Sequence, residues 1–346
     1  MPSVFVGSRY IQKRVNAIFS KEREALDLER KIVILPPGID PELFKPDNDH
    51  KALQNKFLAT VKERVSKNRG GRHSEIKPVA ADKPPDELHQ ELVRHCDTYD
   101  QRAVDADLIE KWPFIKFSEP VVIYFGKFLA AKGVGEIIAA IPAILACNPA
   151  LRFVFVGFGS YREHMEGMLR ALGSGDAAAF TTYARAGNFV DSIDPLKWFR
   201  PLSSAELSRI TITGILDHDA LGPLLSLASI CLVPSKVPEA FGMVAVEAMS
   251  AGVLPLCNYH AGLKDVVDAV AADSPEIASI MVLELENFFD QLPDKIQSAL
   301  AFLYPHGFDE PDRSRSIGKR LRQIAVDNFS WQEIGFKLLP DRQMPE

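Results

Sequence analysis

The sequence contains few cysteines, and none of them lie in the close pairs that zinc sites and redox motifs use. The four cysteines are far apart in the chain (Cys96, Cys147, Cys231 and Cys257). This spacing argues against a disulfide framework and favours a reducing, cytoplasmic compartment. No run of about 18 uncharged apolar residues is present, so no transmembrane segment is expected. The first residues, MPSVFVGSRYIQKRV, lack the long apolar run of a signal peptide, although peripheral association with a membrane is not excluded.

The sequence also lacks an excess of basic residues. Its 346 residues include 40 Lys and Arg against 46 Asp and Glu, for a net charge of −6, which argues against a general nucleic-acid-binding surface. Histidines such as His73, His89 and His95 lack the carboxylate or cysteine spacing of a metal site, and we expect neither a metal nor a cofactor. The hydrophobic fraction of 47% and the charged fraction of 25% are typical of a globular protein, and the length allows two domains.

From residue 119 onward, apolar segments alternate with helical patterns. Five segments predict buried strands: PVVIYFG, LRFVFVGFG, RITITG, SICLVPS and VLPLCN. Uninterrupted apolar strands separated by helices indicate a parallel sheet covered on both faces, which is a doubly wound, Rossmann-like α/β fold. Such sheets bind ligands at the carboxyl ends of their strands, where the strand order reverses. The loops that follow the strands are therefore expected at one edge of the sheet: 126–133, 157–160, 214–217, 234–243 and 258–263.

Two segments interrupt this alternation. Residues 47–118 are charged and have weak apolar periodicity, and we interpret them as an insertion or linker that is partly flexible. Residues 173–205 form a second interruption, inside a nucleotide-binding domain predicted over 119–310. The remaining residues, 311–346, are predicted to form C-terminal helices.

The segment EAFGMVAVEAMSAG (239–252) places two carboxylates eight positions apart around a glycine. A helix that begins near Gly242 directs unpaired backbone N–H groups and the positive end of its dipole at the edge of the sheet, where phosphates bind. Glu247, about one turn further along, can accept hydrogen bonds from the vicinal diol of a ribose, and Glu239 can hold the hydroxyls of another ring. A phosphate between two polyols describes a nucleotide sugar. The two acids alone would also fit a helix cap or solvated side chains.

Other candidate residues follow strands at the same edge. Lys127 and Lys132 can neutralise a diphosphate leaving group, although each alone could be an ordinary surface lysine. Gly157 opens a close-approach loop in VGFGS, which lacks the third glycine of a dinucleotide fingerprint and could be a simple turn. His260 is either a ligand contact or a loop histidine. The occurrence of all of these on loops at one edge favours a binding site.

With these motifs in this order, the sequence resembles the C-terminal half of a retaining GT-B glycosyltransferase of the group 1 (GT4) family. VILPPGIDPELFKP resembles the family's hinge strand and turn, YFGKFLAAKG its GR-L-x-x-x-KG loop, and FVFVGFGS the strand before its G-x-G loop. EAFGMVAVEAMSAG resembles its E-x7-E block, and NFSWQEI its closing helix. The resemblance covers residues 31–46 and 119–335 apart from the interruptions.

The resemblance implies a role for each matched residue. Lys132 and Lys127 would contact the donor diphosphate and, with Glu239, form the catalytic set. Lys127 is at the position where the family usually has arginine. It keeps the positive charge but cannot form the bidentate contact to phosphate that a guanidinium makes. The backbone amides of Phe241, Gly242 and Met243 would bind sugar and phosphate, and Glu247 would bind the ribose. The remaining donor contacts would be Gly157 and His260, with Gly214 and Ile215 beside the base.

Family members also carry an N-terminal domain that binds the acceptor. The resemblance implies that residues 1–46 are a remnant of that domain with the hinge, and that a separately encoded or truncated N-terminal domain completes the enzyme. The implied activity is transfer of a sugar, with retention, from a nucleoside diphosphate sugar to an unknown acceptor. A non-catalytic nucleotide-sugar-binding module is the alternative. A PLP-dependent phosphorylase of the same architecture has no lysine context in its favour.

Overall fold

The computed structural model describes residues 3–22, 28–47, 49–67, 70–112, 119–187 and 193–338. These residues form two parallel sheets. The small sheet pairs β1 (Val4–Val6) with β2 (Ile32–Ile34). The large sheet contains β3 (Val121–Lys127), β4 (Arg152–Phe158), β5 (Ile210–Ile212), β6 (Ile230–Val233), β7 (Leu254–Asn258) and β8 (Val282–Leu283), in the order β5-β4-β3-β6-β7-β8.

Sixteen α-helices surround the sheets in the described part of the chain. Their bounds are α1 (Arg9–Ile18), α2 (Leu28–Lys31), α3 (His50–Lys67), α4 (Pro85–His95), α5 (Leu108–Lys111), α6 (Val134–Cys147), α7 (Arg162–Ser174), α8 (Ala177–Ala186), α9 (Ser204–Leu207), α10 (His218–Ser226), α11 (Met243–Ser250), α12 (Ala261–Asp273), α13 (Pro275–Met281), α14 (Phe288–Leu303), α15 (Asp312–Phe329) and α16 (Trp331–Leu338). Within these ranges, no helix combines the length and apolar character needed to cross a bilayer.

The large sheet is the doubly wound parallel sheet that the sequence predicts. β3 lies between β4 and β6, so the winding reverses direction beside it. All five predicted strands are present, and β8 extends the sheet by a sixth. The side chains of Val121–Phe125 and Phe153–Val156 are buried, as expected for strands covered on both faces. The reversal places the crevice for a ligand between the carboxyl ends of β3 and β6.

The described part of residues 47–118 contains α3, α4 and α5, which pack against other helices of the chain. α3 has a narrow apolar stripe at every fourth residue, and its members Leu53, Phe57 and Val61 are buried. The Phe57 ring stacks on Trp112, with ring centroids 4.0 Å apart, and α3 packs along α10. The sequence pattern fails here because three buried residues in an 18-residue charged helix give a weak periodic signal. Residues 48, 68–69 and 113–118 lie outside the described ranges.

The second interruption, 173–205, is also packed where it is described. α8 packs against α7 and α4, and the Tyr183 hydroxyl donates a hydrogen bond to the Val79 carbonyl at 2.6 Å. The two interrupting segments therefore contact each other on the flank of the large sheet. Residues 188–192 lie outside the described ranges, as do 1–2, 23–27 and 339–346 in the predicted terminal units. The predicted division of the chain into four units stays a prediction.

The small sheet has its own core of Val6, Leu28 and Ile32. It is joined to the large domain through α1, where the Arg9 guanidinium pairs with Asp265 and Asp268 on α12. The buried Ser8 hydroxyl donates a hydrogen bond to the Ala240 carbonyl and accepts one from the Ile11 amide at 3.2 Å. The first helix is thereby tied to the loop that precedes α11.

Candidate functional site

A cavity of about 550 Å³ opens at the point where the strand order reverses. Its wall is built from the ends of β3 and β6, the loop after β3 and the loop that leads into α11. Six predicted site residues share this wall, and they are Lys127, Lys132, Glu239, Phe241, Gly242 and Met243. The structure therefore brings together the residues predicted to hold a diphosphate and a sugar.

The two loops that frame the cavity are fastened to each other. The Lys236 amide donates to the Ala131 carbonyl at 2.8 Å, and its ammonium pairs with the Glu136 carboxylate. Burial raises the pKa of Glu136, and the charge of Lys236 opposes that rise. Gly133 lies in the left-handed region at φ +74°, and a β-carbon there would come within 2.4 Å of the Pro234 carbonyl oxygen. These contacts fix Lys132 opposite Glu239.

The charged side chains of the wall are partly exposed and close together. The Lys132 ammonium forms an ion pair with the Glu239 carboxylate, and the two side chains are 27% and 24% exposed. Lys127 is exposed at the end of β3, where the Tyr124 hydroxyl donates to its carbonyl oxygen at 2.8 Å. With two ammonium groups against one carboxylate, the wall favours an anion.

The amino end of α11 adds main-chain donors to the same wall. Met243 and Val244, the first two residues of α11, line the cavity, and their amides are at helix positions that have no acceptor within their own helix. Gly242 has φ +120°, and a β-carbon there would lie 2.6 Å from a methyl carbon of Leu263. Close packing as well as ligand approach thus accounts for the glycine. Donor amides at the positive end of a helix dipole suit a phosphate.

Glu247 lies one turn further along α11 and outside the cavity wall. Burial alone raises its pKa to about 7. Among the described residues, no charged group or hydrogen-bond donor contributes to this shift. It can accept hydrogen bonds from a ligand that reaches past the cavity.

Phe241 and His260 use their side chains for packing. The Phe241 ring is buried in an edge contact with Phe329, at 5.3 Å between ring centroids, and the residue is part of the cavity wall. His260 Nε2 lies 2.8 Å from the Ser235 carbonyl oxygen, which also accepts from Asn258 Nδ2 at 3.1 Å. This contact favours the loop-histidine interpretation of His260, which lies outside the cavity wall.

The structure does not bring Gly157, Gly214 and Ile215 into the cavity. A β-carbon on Gly157 would come within 1.8 Å of the Gly126 carbonyl oxygen, so this glycine serves strand packing. The Ile215 amide donates to the Ala103 carbonyl at 3.2 Å, and Val104 forms an antiparallel bridge with Gly214. The predicted base contacts of Gly214 and Ile215 are therefore covered by the segment around Val104.

The wall also contains residues that were not predicted from the sequence, among them Pro37 and Tyr124. The proline-proline-glycine turn at 36–38 could have indicated Pro37, because it leads the chain from β2 towards the large sheet. Tyr124 carries no such signal, since it lies inside the apolar run of β3. Among the described residues, no group of three His, Cys, Asp or Glu side chains is arranged to hold a metal ion.

Comparisons with known proteins relate this chain to glycosyltransferases. Residues 200–271, which include Glu239 and Glu247, match the family model of group 1 glycosyl transferases. An uncharacterized glycosyltransferase of Methanocaldococcus jannaschii is 25% identical over 221 residues, which are 64% of this chain and 44% of that protein. The matched part thus spans less than half of this curated relative.

Solved structures share the fold. Sucrose-phosphate synthase of Thermosynechococcus elongatus superposes with a TM-score of 0.52 at 20% identity, over 97% of this chain and 56% of its own. HepE of Anabaena, solved in complex with UDP, superposes with a TM-score of 0.53 at 16% identity, over 98% of this chain and 62% of its own. The chain has the α/β fold with a parallel sheet found in GT-B glycosyltransferase structures.

Proposed function

We propose that this chain is the donor-binding part of a retaining glycosyltransferase that uses a nucleoside diphosphate sugar. The observation that carries the proposal is the cavity at the reversal of strand order, where Lys127, Lys132, Glu239 and the amino end of α11 meet. Its volume of about 550 Å³ lies in the range of small-molecule sites. The match of residues 200–271 to group 1 glycosyl transferases and the UDP bound to a protein of the same fold support this assignment.

In this proposal the diphosphate lies against Lys127, Lys132 and the first amides of α11. The transferred sugar places its hydroxyls on Glu239, and the ribose places its diol on the carboxyl of Glu247. Donor binding then exchanges the Lys132–Glu239 ion pair for contacts to phosphate and hydroxyl groups. Because each residue exchanges one polar partner for another, no buried charge is left unpaired.

The proposed reaction breaks the bond between the anomeric carbon and the diphosphate oxygen. An acceptor hydroxyl forms its bond to that carbon from the same face, and its proton passes to the departing diphosphate. Negative charge develops on the diphosphate, where two ammonium groups and the helix amides stabilise it. This arrangement supplies the charge without a metal ion.

We also propose that a further domain supplies the acceptor site. The small sheet leaves apolar side chains exposed, with Phe5 53% and Val33 39% accessible, and a domain that continues this sheet would cover them. The acceptor itself is unknown. The free cysteines fit a reducing, cytoplasmic compartment for the assembled enzyme.

Titration calorimetry with UDP-glucose, GDP-glucose and ADP-glucose tests the proposal. At least one of the three is expected to bind, and Lys127→Ala should weaken its binding about 10- to 100-fold, because a charged contact to phosphate is worth about 1.5–3 kcal/mol. Lys197→Ala, at an exposed lysine that pairs with Asp290, is the matched control and should bind like the wild type. Failure of all three donors to bind would overturn the proposal.

A non-catalytic binding module remains the alternative function, and turnover decides between the two. The enzyme is expected to release free nucleoside diphosphate from the bound donor once an acceptor domain is supplied. Chromatography of the nucleotide products measures this release. Donor binding without any release, with the same domain present, would favour the module.

A further inference from the structure

A segment that looked like a linker in the sequence covers the carboxyl ends of β4 and β5. The Asp105 amide donates to the Thr213 carbonyl at 2.8 Å, and the Ile215 amide donates to the Ala103 carbonyl at 3.2 Å. The gap left beneath this segment, beside Gly157 and Gly214, is about 10 Å³, which is room for about one water molecule. A planar base cannot enter there while the segment is in place.

Buried ion pairs hold the segment down. Arg162, at the start of α7, donates to both oxygens of Asp105 at 3.2 and 2.8 Å, and the two side chains are 4% and 2% exposed. Arg72 likewise donates to both oxygens of Glu163, at 2.7 and 3.2 Å. Separating a buried pair leaves an uncompensated charge and is strongly unfavourable. The segment is therefore a fixed wall rather than a lid.

The exposed surface of this wall lies next to the cavity. Lys127 and Phe158 are Cα partners at the ends of β3 and β4, so the partly buried Phe158 ring is the next side chain along the edge from the cavity. The exposed Arg102 guanidinium lies 5.8 Å from the centroid of that ring. An aromatic ring and a planar guanidinium together provide stacking faces for a flat heterocycle.

The loop after β6 is fixed in place, because the Ser235 carbonyl accepts hydrogen bonds from Asn258 and His260. A ligand whose diphosphate lies at Lys127 and Lys132 and whose sugar reaches Glu239 can extend past Lys127, towards β4. Its remaining end then meets Phe158 and Arg102.

We propose that Arg102 and Phe158 recognise the base of the nucleoside diphosphate donor, so that residues 99–107 are a specificity element of the binding site. The inference rests on the proposed function. The base stacks on the Arg102–Phe158 pair, above the covered backbone of Gly214 and Ile215. The guanidinium can also donate hydrogen bonds to a base carbonyl, which makes this position sensitive to the identity of the base.

Calorimetry with UDP, GDP, ADP and inorganic pyrophosphate separates base recognition from diphosphate binding. In Arg102→Ala and Phe158→Leu, the best-binding nucleotide is expected to lose about 5- to 100-fold in affinity, the range for loss of one stacking contact. Pyrophosphate, which has no base, should bind within about twofold of wild type. Arg94→Ala, at an exposed arginine on α4, is the matched control and should leave every affinity unchanged.

Hydrogen exchange in the wild-type chain tests whether the segment stays in place. The amides of Asp105 and Ile215 should keep their protection when the nucleotide binds. Loss of that protection would mean that the segment leaves and the base takes its place, which overturns the proposal. Unchanged nucleotide affinity in both variants, or a nucleotide that binds wild type no more tightly than pyrophosphate, would also overturn it. If wild type binds no nucleotide at all, the proposed function fails as well.

Discussion

Lys132 and Glu239 are separated by 107 positions in the chain, and their side chains form an ion pair across the cavity. The pairing follows from the parallel sheet, because both residues lie on loops that leave the carboxyl ends of neighbouring strands, β3 and β6. In the proposed complex each of the two side chains has a ligand group to contact instead. The ion pair therefore competes with the donor.

Because of this competition, we expect substitution of Glu239 and substitution of Lys132 to change the affinity for pyrophosphate in opposite directions. Glu239→Gln removes the partner of Lys132, so pyrophosphate should bind about 3- to 10-fold more tightly, as expected for a charge interaction of about 1 kcal/mol. Lys132→Ala should bind pyrophosphate about 10-fold more weakly. The nucleotide sugar should bind more weakly to both variants, because Glu239→Gln loses its contact to sugar hydroxyls.

Titration calorimetry at constant ionic strength measures these four affinities. Lys197→Ala serves as the control for a general loss of positive charge, since its ion pair with Asp290 is far along the chain from the loops of the cavity. A Glu239→Gln variant that binds pyrophosphate more weakly than wild type would show that the two residues do not compete with a diphosphate.

The carboxyl of Glu247 is expected to make the free energy of unfolding depend on pH. Burial raises its pKa to about 7 from 4.5, so the folded protein holds this proton more strongly than the unfolded chain does. The carboxyl contributes its full stabilisation below pH 4.5 and loses it as the pH rises to about 7. Glu247→Gln removes this loss, and we expect the variant to be about 1–3 kcal/mol more stable than wild type at pH 8, with no difference near pH 4.

Urea denaturation at pH 4, 6 and 8 measures the difference in the free energy of unfolding. Glu286→Gln, at an exposed glutamate, is the control and should give the same small difference at every pH. A constant effect of Glu247→Gln across the three pH values would contradict a raised pKa.

We expect truncation of the Asp105 side chain to lower the free energy of unfolding by a large amount. Asp105→Ala leaves the buried Arg162 guanidinium with Glu166 as its remaining carboxylate, at 2.8 Å, and breaks the contact with Lys111 at 3.2 Å. We expect a loss of about 3 kcal/mol in the free energy of unfolding, the lower range for removing one partner of a buried pair. Urea denaturation at pH 7 measures it.

The matched control is Glu42→Ala, which removes an exposed carboxylate paired with Lys45 at 3.0 Å and with Arg322 at 3.5 Å. Exposed pairs contribute little because solvent screens them, so this variant should unfold almost like the wild type. Equal losses in Asp105→Ala and Glu42→Ala would mean that the segment over β4 and β5 is only loosely held.

At Gly157, near the end of β4, we predict that packing rather than ligand approach requires a glycine. Its φ is +149°, and an added β-carbon would collide with the Gly126 carbonyl at 1.8 Å. Gly157→Ala should therefore destabilise the protein by about 3 kcal/mol or more. Gly307 has φ +102° but open space around it, so Gly307→Ala should cost only about 1–2 kcal/mol of backbone strain. Thermal unfolding of both variants makes the comparison, and equal losses would rule out the packing explanation.

Much of the large sheet could be predicted because its strands are buried on both faces. Val121–Phe125 reads as an uninterrupted apolar run, and such a run between helices has few other interpretations. β8 could not be predicted, since the two residues Val282 and Leu283 are too few to show a pattern. The apolar stripe of α3 could not be recognised in the sequence either, because charged residues outnumber the buried ones on that helix.

The cavity could be predicted in part because strand ends converge on one edge. Lys127, Lys132 and Glu239 follow strands, and the parallel sheet alone brings them together. The cover over Gly214 and Ile215 could not be predicted, because it depends on a hydrogen bond from the Ile215 amide to the Ala103 carbonyl and on a buried pair between Asp105 and Arg162. Local sequence patterns do not predict contacts between residues so distant in the chain.

The hydroxyl of Ser8 serves two elements at once, since it caps α1 and holds the carbonyl of Ala240. Ala240 follows Glu239 directly, so the Ser8 hydroxyl connects α1 to the loop that carries the acid predicted to bind the sugar. A shift of the small sheet would therefore move the loop that carries Glu239. In the proposed function, a domain that packs on β1 and β2 would thus affect how tightly the nucleotide sugar binds.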